Sequence, residues 1–148
     1  MAFHYKLETL LRLQRSLEHQ EENRLLACVA SITSLKNDIC SWENARKCRR
    51  ESIWRDLEQG APGAVLQFSK LWEEAAHSEE KRLRQRLQLA EQAREKQLRM
   101  YRAARQKRET LESLKENGEN AYVVDVLRRM QQDLDEAYLL RSFYRHND

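Results

Sequence analysis

The residues to consider first are those that could do chemistry. Glu74 and His77 form a Glu-x-x-His pair on a predicted helix, which is the spacing found in di-iron sites inside helical bundles. Such a site needs a second pair of this kind, and His4, His19 and His146 do not supply one. A solvated helix face is therefore the favoured interpretation of this pair, and we expect neither a metal nor a cofactor.

Nothing else in the sequence predicts catalysis. There is no glycine-rich phosphate loop and no nucleophile beside a recognisable base. Cys28, Cys40 and Cys48 are odd in number and have no metal-site spacing, so they are predicted to be reduced thiols. We therefore expect a protein that is not an enzyme and that acts through its surfaces.

The elements that position these surfaces are indicated by the helix breakers. The chain has one proline and three glycines in 148 residues, with Gly60, Pro62 and Gly63 together and Gly118 apart. Glycine destabilises helices through backbone entropy, and proline lacks an N–H and clashes with the preceding turn. A chain with so few breakers and with much Glu, Gln, Arg, Leu, Ala and Lys is typical of long helices with one sharp reversal.

The composition favours a thin, polar helical protein. Charged residues make up 34% of the chain, aromatic residues 7%, and the mean hydropathy is −0.90, which is too polar for a thick globular core. Disorder is the alternative, but apolar residues recur at helical spacing. There is no apolar signal segment and no run near the roughly 20 apolar residues that span a bilayer, so we expect a cytoplasmic location.

Helix 1 is predicted over about residues 4–58, with a heptad seam. Six apolar residues alternate in steps of three and four without a break: Leu25, Cys28, Ile32, Leu35, Ile39 and Trp42. The same phase extends to Leu7, Leu11 and Ile53. Glu18 and Arg46 also fall on it, and polar residues at such positions reduce stability and help to set the register.

A turn is predicted at 59–63 and helix 2 at about 64–117. Its predicted stripe has 3-4-4 spacing and contains Val65, Phe68, Trp72, Ala76, Glu79, Leu83, Leu87, Ala90, Arg94, Leu98 and Tyr101. This spacing is close to an eleven-residue period, which predicts a shallow, nearly straight coil.

A reversal at 60–63 pairs residue i with about residue 123 − i, so residue 3 lies near residue 120. Asn117 and Gly118 resemble a helix C-cap. A last helical stretch at about 120–145 either continues helix 2 or folds back, and it carries Val123, Leu127, Met130, Leu134 and Tyr138 on one face. The predicted fold is all-α: one domain over residues 1–148, a long antiparallel two-helix coiled-coil hairpin with a C-terminal helical extension.

Charge is concentrated in the middle of helix 2. Residues 81–108 contain eleven Lys/Arg and two Glu, a net charge of +9, whereas the predicted partner stretch 15–42 has a net charge of −1. Such a basic stripe either faces an acidic partner or is a solvated face with i,i+4 partners. The candidate contacts for an acidic partner are Arg94, Arg99, Arg102 and Arg105. No nucleic acid is expected, because only Tyr101 is available for base stacking.

Large apolar residues also crowd around the turn. They are Trp54, Leu57, Val65, Leu66, Phe68, Leu71 and Trp72. The end of a two-helix coil is too small to bury all of them. We expect about half of them to close the coil, and we expect Phe68, Leu71 and Trp72 to form an exposed patch for a partner.

The opening residues support a family resemblance. Residues 3–13 have the sequence Phe-His-Tyr-Lys-Leu-Glu-Thr-Leu-Leu-Arg-Leu. This resembles the start of the flagellar export protein FliJ family, whose members commonly begin aromatic-x-aromatic-x-Leu-x-x-Leu-Leu followed by a basic residue. Chain length, turn position and an Arg/Gln-rich second helix also agree. The resemblance covers the whole chain in architecture but is specific only in these residues.

The resemblance implies a coiled coil similar to the central stalk of rotary ATPases, with helix 2 continuing into the last stretch. It implies binding to and stimulation of a hexameric flagellar export ATPase, a link to the membrane export gate and escort of flagellar export chaperones. The protein would be peripheral at the cytoplasmic face of the inner membrane, at the flagellar base. The implied contacts are Phe3, Tyr5, Leu7, Leu10 and Leu11 for the ATPase ring and Phe68, Leu71 and Trp72 for the gate.

Proteins with other functions have the same general shape. A stalk protein of a virulence type III secretion system is the nearest alternative, and the aromatic opening favours the flagellar family. A prefoldin-like chaperone hairpin needs an oligomerising platform, for which no strand-like segment is evident. A nucleic-acid-binding hairpin would show binding that weakens steeply as salt rises.

Overall fold

The computed structural model describes residues 3–146, with side chains described for residues 3–143. The described part consists of two α-helices, α1 (Glu8–Glu58) and α2 (Ala64–His146), and it contains no strand. The helices pack antiparallel as a two-helix hairpin, which confirms the predicted fold class. Neither helix, in the part described, has a stretch that is long and apolar enough to cross a membrane.

The turn between the helices is built by its glycines and proline. Gly60 has φ +86°, a left-handed conformation that glycine adopts at little cost. The Ala61 N–H donates to the Asp56 carbonyl at 3.1 Å, and the Gly60 N–H donates to the Leu57 carbonyl at 3.1 Å. This pair of bonds is a Schellman motif, which ends α1, and Pro62 follows where the helix cannot continue.

The chain forms two compact units. The first, which we call the turn unit, is His19–Arg102, and the second, the termini unit, combines Met1–Glu18 with Ala103–Asp148. Within each unit a segment of α1 is paired with a segment of α2. The buried apolar residues of the turn unit are Ile32, Leu35, Ala76 and Leu83, and Leu11 is fully buried in the termini unit.

The seam of α1 follows the predicted heptad. All residues in that phase from Leu11 to Arg46 are half-buried or buried, including the six predicted apolar positions. Glu18 and Arg46 are half-buried as well, so both helix-1 charges lie in the interface. Leu7, by contrast, is 41% exposed, and the regular seam therefore begins one turn later than predicted.

The seam of α2 differs from the predicted 3-4-4 stripe. The side chains that face α1 follow a strict heptad, namely Ser69, Glu73, Ala76, Glu80, Leu83, Leu87, Ala90, Arg94, Gln97, Tyr101, Ala104, Arg108, Leu111, Lys115, Gly118, Tyr122 and Asp125, of which only Arg94 is exposed. Phe68 is outside this seam and 60% exposed. The other predicted residues outside the heptad, namely Val65, Trp72, Glu79 and Leu98, are half-buried beside it. The continuous seam thus follows a heptad, which is the period of two helices that share one superhelix.

The contacts that α2 makes with α1 and with the segment before it agree with the predicted register. In the termini unit the Tyr5 hydroxyl donates to the Leu111 carbonyl at 3.0 Å, and the Phe3 ring lies 5.8 Å from the Tyr122 ring. In the turn unit Arg84 pairs with Glu43 at 3.0 Å. The sum of the residue numbers in each pair is close to the expected 123.

The chain does not break at Asn117 and Gly118, because α2 passes through both residues. A Cβ on Gly118 would lie 3.1 Å from Cζ of Phe3. The absence of a Cβ on Gly118 therefore leaves space for the aromatic ring of Phe3. This ring reaches α2 from a non-helical segment, since α1 begins at Glu8 and not near residue 4.

The three tryptophans all lie in the turn unit. Trp42 is half-buried on the seam, and its buried indole N–H has no hydrogen-bond acceptor among the described residues. Trp54 is 67% exposed, and Trp72 is half-buried. The three indoles therefore have distinct surroundings within one unit.

We expect the effect of Gly118→Leu on stability to reverse sign when Phe3 is truncated. In the otherwise natural chain the new side chain displaces the Phe3 ring, and the melting temperature falls. In the Phe3→Ala background the ring is gone, and leucine, a better helix former than glycine by about 1 kcal/mol, raises the melting temperature. Thermal unfolding followed by circular dichroism measures both effects, and equal signs in the two backgrounds would contradict the packing.

Candidate interaction surfaces

The residues singled out for possible chemistry are spread along the described part of the two helices. Glu74 and His77 are both exposed on α2. No three of the His, Cys, Asp and Glu side chains described lie close enough together to hold a metal ion. Cys40 and Cys48 are exposed, and Cys28 is half-buried. Charged clusters and apolar surfaces are the other distinctive features of the two helices.

An ion cluster crosses the seam of the turn unit. Arg46 on α1 contacts Glu73 at 2.7 Å and Glu80 at 2.5 Å, and its side chain is only 16% exposed. Arg50 adds a second contact to Glu73 at 2.6 Å, and Arg84 approaches Glu80 at 2.9 Å. A charge in the seam is tolerated when an opposite charge compensates its lost hydration. Each charge in this cluster has such a partner.

The pKa values in this cluster follow from its hydrogen bonds. Arg50, together with Arg46, lowers the pKa of Glu73 to about 2. Arg84 lowers the pKa of Glu80, and Glu73 raises the pKa of Arg50. Glu73, Glu80 and Arg50 are therefore ionised at neutral pH, which keeps the cluster intact.

A second cluster crosses the seam of the termini unit. Arg108 on α2 bonds to both Glu18 and Glu112, and the Glu18 carboxylate raises the pKa of Arg108. Arg15 contacts Glu112 at 2.9 Å and is the main cause of the lowered pKa of that carboxyl. Glu18, predicted as a register-setting charge, therefore has a specific partner across the interface.

A further pair in the termini unit joins the first turn of α1 to α2. Lys115 contacts Glu8 at 2.9 Å and lowers the pKa of the Glu8 carboxyl. Glu8 is also in the first turn of α1, where a negative charge is favourable beside the helix dipole.

The residues predicted as a patch near the turn differ in exposure. Phe68 is 60% exposed and Leu71 is 65% exposed, so both are available to a partner. Trp72 is half-buried beside the seam, so less of its side chain is available to a partner. A separate open cleft of about 250 Å³ is lined by Arg50, Ile53, Trp54, Leu57, Leu66, Ser69 and Glu73.

The opening residues have two roles in the structure. Phe3, Tyr5 and Leu11 pack against α2, and Leu11 is fully buried, so Leu11 supports a surface without forming part of it. Leu7 and Leu10 are 41% and 40% exposed. A shallow cleft beside Leu10 is lined by Gln14, Lys107, Thr110 and Leu111. Of the five candidates, Leu7 and Leu10 thus have the most accessible side chains for a partner.

The part of α2 beyond its pairing with α1 carries an apolar stripe on the outer face. From Asp125 to Glu136 the seam positions are polar, with Arg129, Gln132 and Glu136 in the heptad phase, whereas Leu139 and Phe143 are apolar residues in that phase. The apolar residues move to the heptad positions opposite the seam, and their exposed fractions lie between 53% and 74%: Val123, Leu127, Met130, Leu134 and Tyr138. This stripe was found from the sequence, but its orientation away from α1 was not. That orientation follows only when the heptad is carried from Leu83 through Tyr122.

The four predicted basic contacts are all exposed side chains of α2. Arg94 is at a seam position but is exposed, and Arg102 is exposed on the outer side. Arg99 lies 3.8 Å from Glu95, and Arg105 lies 2.7 Å from Glu109. Arg99 and Arg102 are three residues apart and share a face of α2, and contact of these arginines with an acidic partner stays a prediction.

Comparisons with models of protein families, with curated proteins and with solved structures found no match to this chain. The surfaces themselves are therefore the basis for a functional proposal.

We expect the turn unit to lose stability in acid, and Glu73→Gln to reduce that loss. The pKa of Glu73 is about 2 in the folded chain against an ordinary 4.5. A carboxyl whose pKa is lowered by folding stabilises the fold at pH values above its ordinary pKa. This stabilisation is lost as the pH falls towards and through the pKa of the folded state. Melting temperatures measured by circular dichroism from neutral pH down to about pH 2 test this.

The matched control for this experiment is Glu74→Gln, which removes an exposed carboxyl one residue away. It should keep the pH dependence of the unmodified chain. A Glu73→Gln variant whose melting temperature falls as steeply in acid as that of the control would contradict the ion-cluster account.

Proposed function

We propose that this chain is a non-enzymatic, stalk-like component of a bacterial flagellar type III export apparatus. In this proposal it binds and stimulates the hexameric export ATPase, links the ATPase to the cytoplasmic domain of the export-gate membrane protein, and escorts flagellar export chaperones. It would lie in the cytoplasm, peripheral to the inner membrane at the flagellar base. The FliJ-like opening residues and the two-helix hairpin are the joint support for it.

The observation that carries the proposal is the arrangement of the opening motif. The aromatic residues Phe3 and Tyr5 fasten the start of the chain to α2. Leu7, directly before α1, and Leu10, on α1, are exposed. The outer stripe beginning at Val123 adds exposed apolar surface in the same termini unit. Exposed apolar side chains in this number favour a protein partner over solvent alone.

The candidate gate contact is in the turn unit. Phe68 and Leu71 expose more than half of their surface and are three residues apart on α2, so they share a face. Large side chains of this kind commonly anchor interfaces. Trp72 supports this face from its half-buried position, so we assign the direct contact to Phe68 and Leu71.

We expect Leu7→Ser with Leu10→Ser to lower stimulation of the export ATPase by about tenfold. Both side chains are exposed, so their loss removes contact area without disturbing the seam. The measurement is ATP hydrolysis by the purified export ATPase of the same organism as the concentration of this protein is raised.

Leu26→Ser with Val29→Ser is the matched control, because these apolar residues of α1 are also exposed but lie in the turn unit. It should stimulate hydrolysis as the unmodified chain does. Circular dichroism checks that both double variants stay helical. Stimulation that is equal in the two variants, or absent with the unmodified protein, would count against the proposed ring contact.

We expect Phe68→Ala with Leu71→Ala to weaken binding to the cytoplasmic domain of the export gate by about tenfold while leaving helicity unchanged. Trp54→Ala is the control, since Trp54 is 67% exposed but lines the separate cleft near the turn. Isothermal titration with the purified gate domain measures the affinities. A loss of helicity in the double variant would show that Phe68 and Leu71 stabilise the fold, and an equal loss of affinity in the control would argue against this contact.

A further inference from the structure

The two sides of the helix pair in the turn unit are chemically different. In a heptad written abcdefg, positions a and d form the seam and positions e and g flank it. In an antiparallel coiled coil, e positions of one helix face e positions of the other, and g positions face g positions. On the e side, Glu43 pairs with Arg84 at 3.0 Å and Lys36 pairs with Glu91 at 3.9 Å. These ion pairs link the helices along one side.

The g side lacks such links. Ser31 and Ala93 face each other there by register, as do Asp38 and Arg86, and no ion pair crosses this side among the residues described in the turn unit. Ser31 and Ala93 are small, so the groove between the helices is not filled by long side chains at its middle. Small residues allow another helix to approach closely.

A basic and apolar ridge borders this groove on α2. It consists of Arg86, Leu89, Lys96 and Met100, which occupy neighbouring g and c positions around Ala93. Leu89 is 65% exposed and Met100 is 54% exposed. Arg86 and Lys96 are exposed and form no ion pair with any residue that the structure describes. Two unpaired cations and two exposed apolar side chains therefore alternate along about four turns of α2.

We propose that this ridge, which we call the g-side ridge, binds an acidic amphipathic helix of a partner protein. The apolar face of such a helix covers Leu89 and Met100, and its carboxylates pair with Arg86 and Lys96. A span of 14 residues at about 1.5 Å per residue is on the order of 20 Å, which matches a partner helix of four turns.

Other occupants fit the same residues less well. A second copy placed ridge to ridge brings like charges together, which opposes association. A nucleic acid duplex satisfies the cations but leaves Leu89 and Met100 uncovered, and the ridge has no aromatic ring on which bases stack. The combination of charge and apolar surface is the reason for choosing an acidic helix.

The test uses the full-length protein and a synthetic helical peptide of about 20 residues, with leucines along one face and glutamates beside them. Fluorescence anisotropy of the labelled peptide measures its affinity. Arg86→Glu with Lys96→Glu, and separately Leu89→Ser with Met100→Ser, should each weaken binding by about tenfold or more. A peptide in which lysine replaces every glutamate should not bind.

The charge control is Lys47→Glu with Lys81→Glu, which makes the same change in net charge at exposed positions of the turn unit outside the ridge. It should bind the acidic peptide within about twofold of the unmodified chain. Leu26→Ser is the apolar control, because Leu26 is 60% exposed and also outside the ridge. Circular dichroism checks that all variants remain helical.

Three results would overturn the proposal. The first is an equal loss in the charge control, which would mean diffuse electrostatic attraction. The second is unchanged binding after Leu89→Ser with Met100→Ser, which would remove the apolar half of the site. The third is tighter binding of a short DNA duplex that depends on Arg86 and Lys96 alone, which would make the ridge a nucleic-acid site.

Discussion

The pairing of α1 with α2 depends on charged side chains that lie inside the helix interface. Apolar heptad positions alone permit several registers, because one leucine resembles the next after a shift of seven residues. Arg46 is different, because its guanidinium is mostly withdrawn from water and needs Glu73 and Glu80 beside it. Glu18 has the same dependence on Arg108. A shifted register would separate such charges from their partners, and an unpaired charge in a seam is strongly destabilising.

This constraint also explains why the molecule has many exposed apolar residues without being poorly folded. The seam occupies a narrow strip of each helix. Small seam residues such as Ala76 and Ala90 provide little contact area, and the ion clusters select the register of the two helices. The apolar residues left outside the strip are grouped near the turn, at the opening of α1 and along the last part of α2. Grouped apolar surface of this kind is expected of a protein whose stability and whose binding use different sides of the same helices.

Much of the fold could be predicted from the sequence because few alternatives exist for a chain with so few helix breakers. The turn at Gly60–Gly63 and the α1 seam through Ile32 and Leu35 follow directly from residue type and spacing. The seam positions of α2 do not follow from its sequence in this way. The apolar residues of α2 fit both a seven-residue and an eleven-residue period, and only pairing with α1 selects the first. Residue type at Asn117 and Gly118 leaves open whether helix 2 continues or folds back, because a single glycine costs a long helix only about 1 kcal/mol. The role of Gly118 depends on Phe3, 115 residues away in the chain, and such a contact is not visible in local sequence.

The placement of the tryptophans makes ultraviolet emission a local reporter. Trp42, Trp54 and Trp72 all belong to the turn unit, whereas the termini unit has tyrosines such as Tyr5 and Tyr122 as its aromatic chromophores. Selective excitation of indole therefore observes the half of the interface near the hairpin bend and is insensitive to fraying where the chain begins. Far-ultraviolet dichroism, in contrast, sums over every peptide group. Any difference between the two signals during denaturation then measures how independently the two units open.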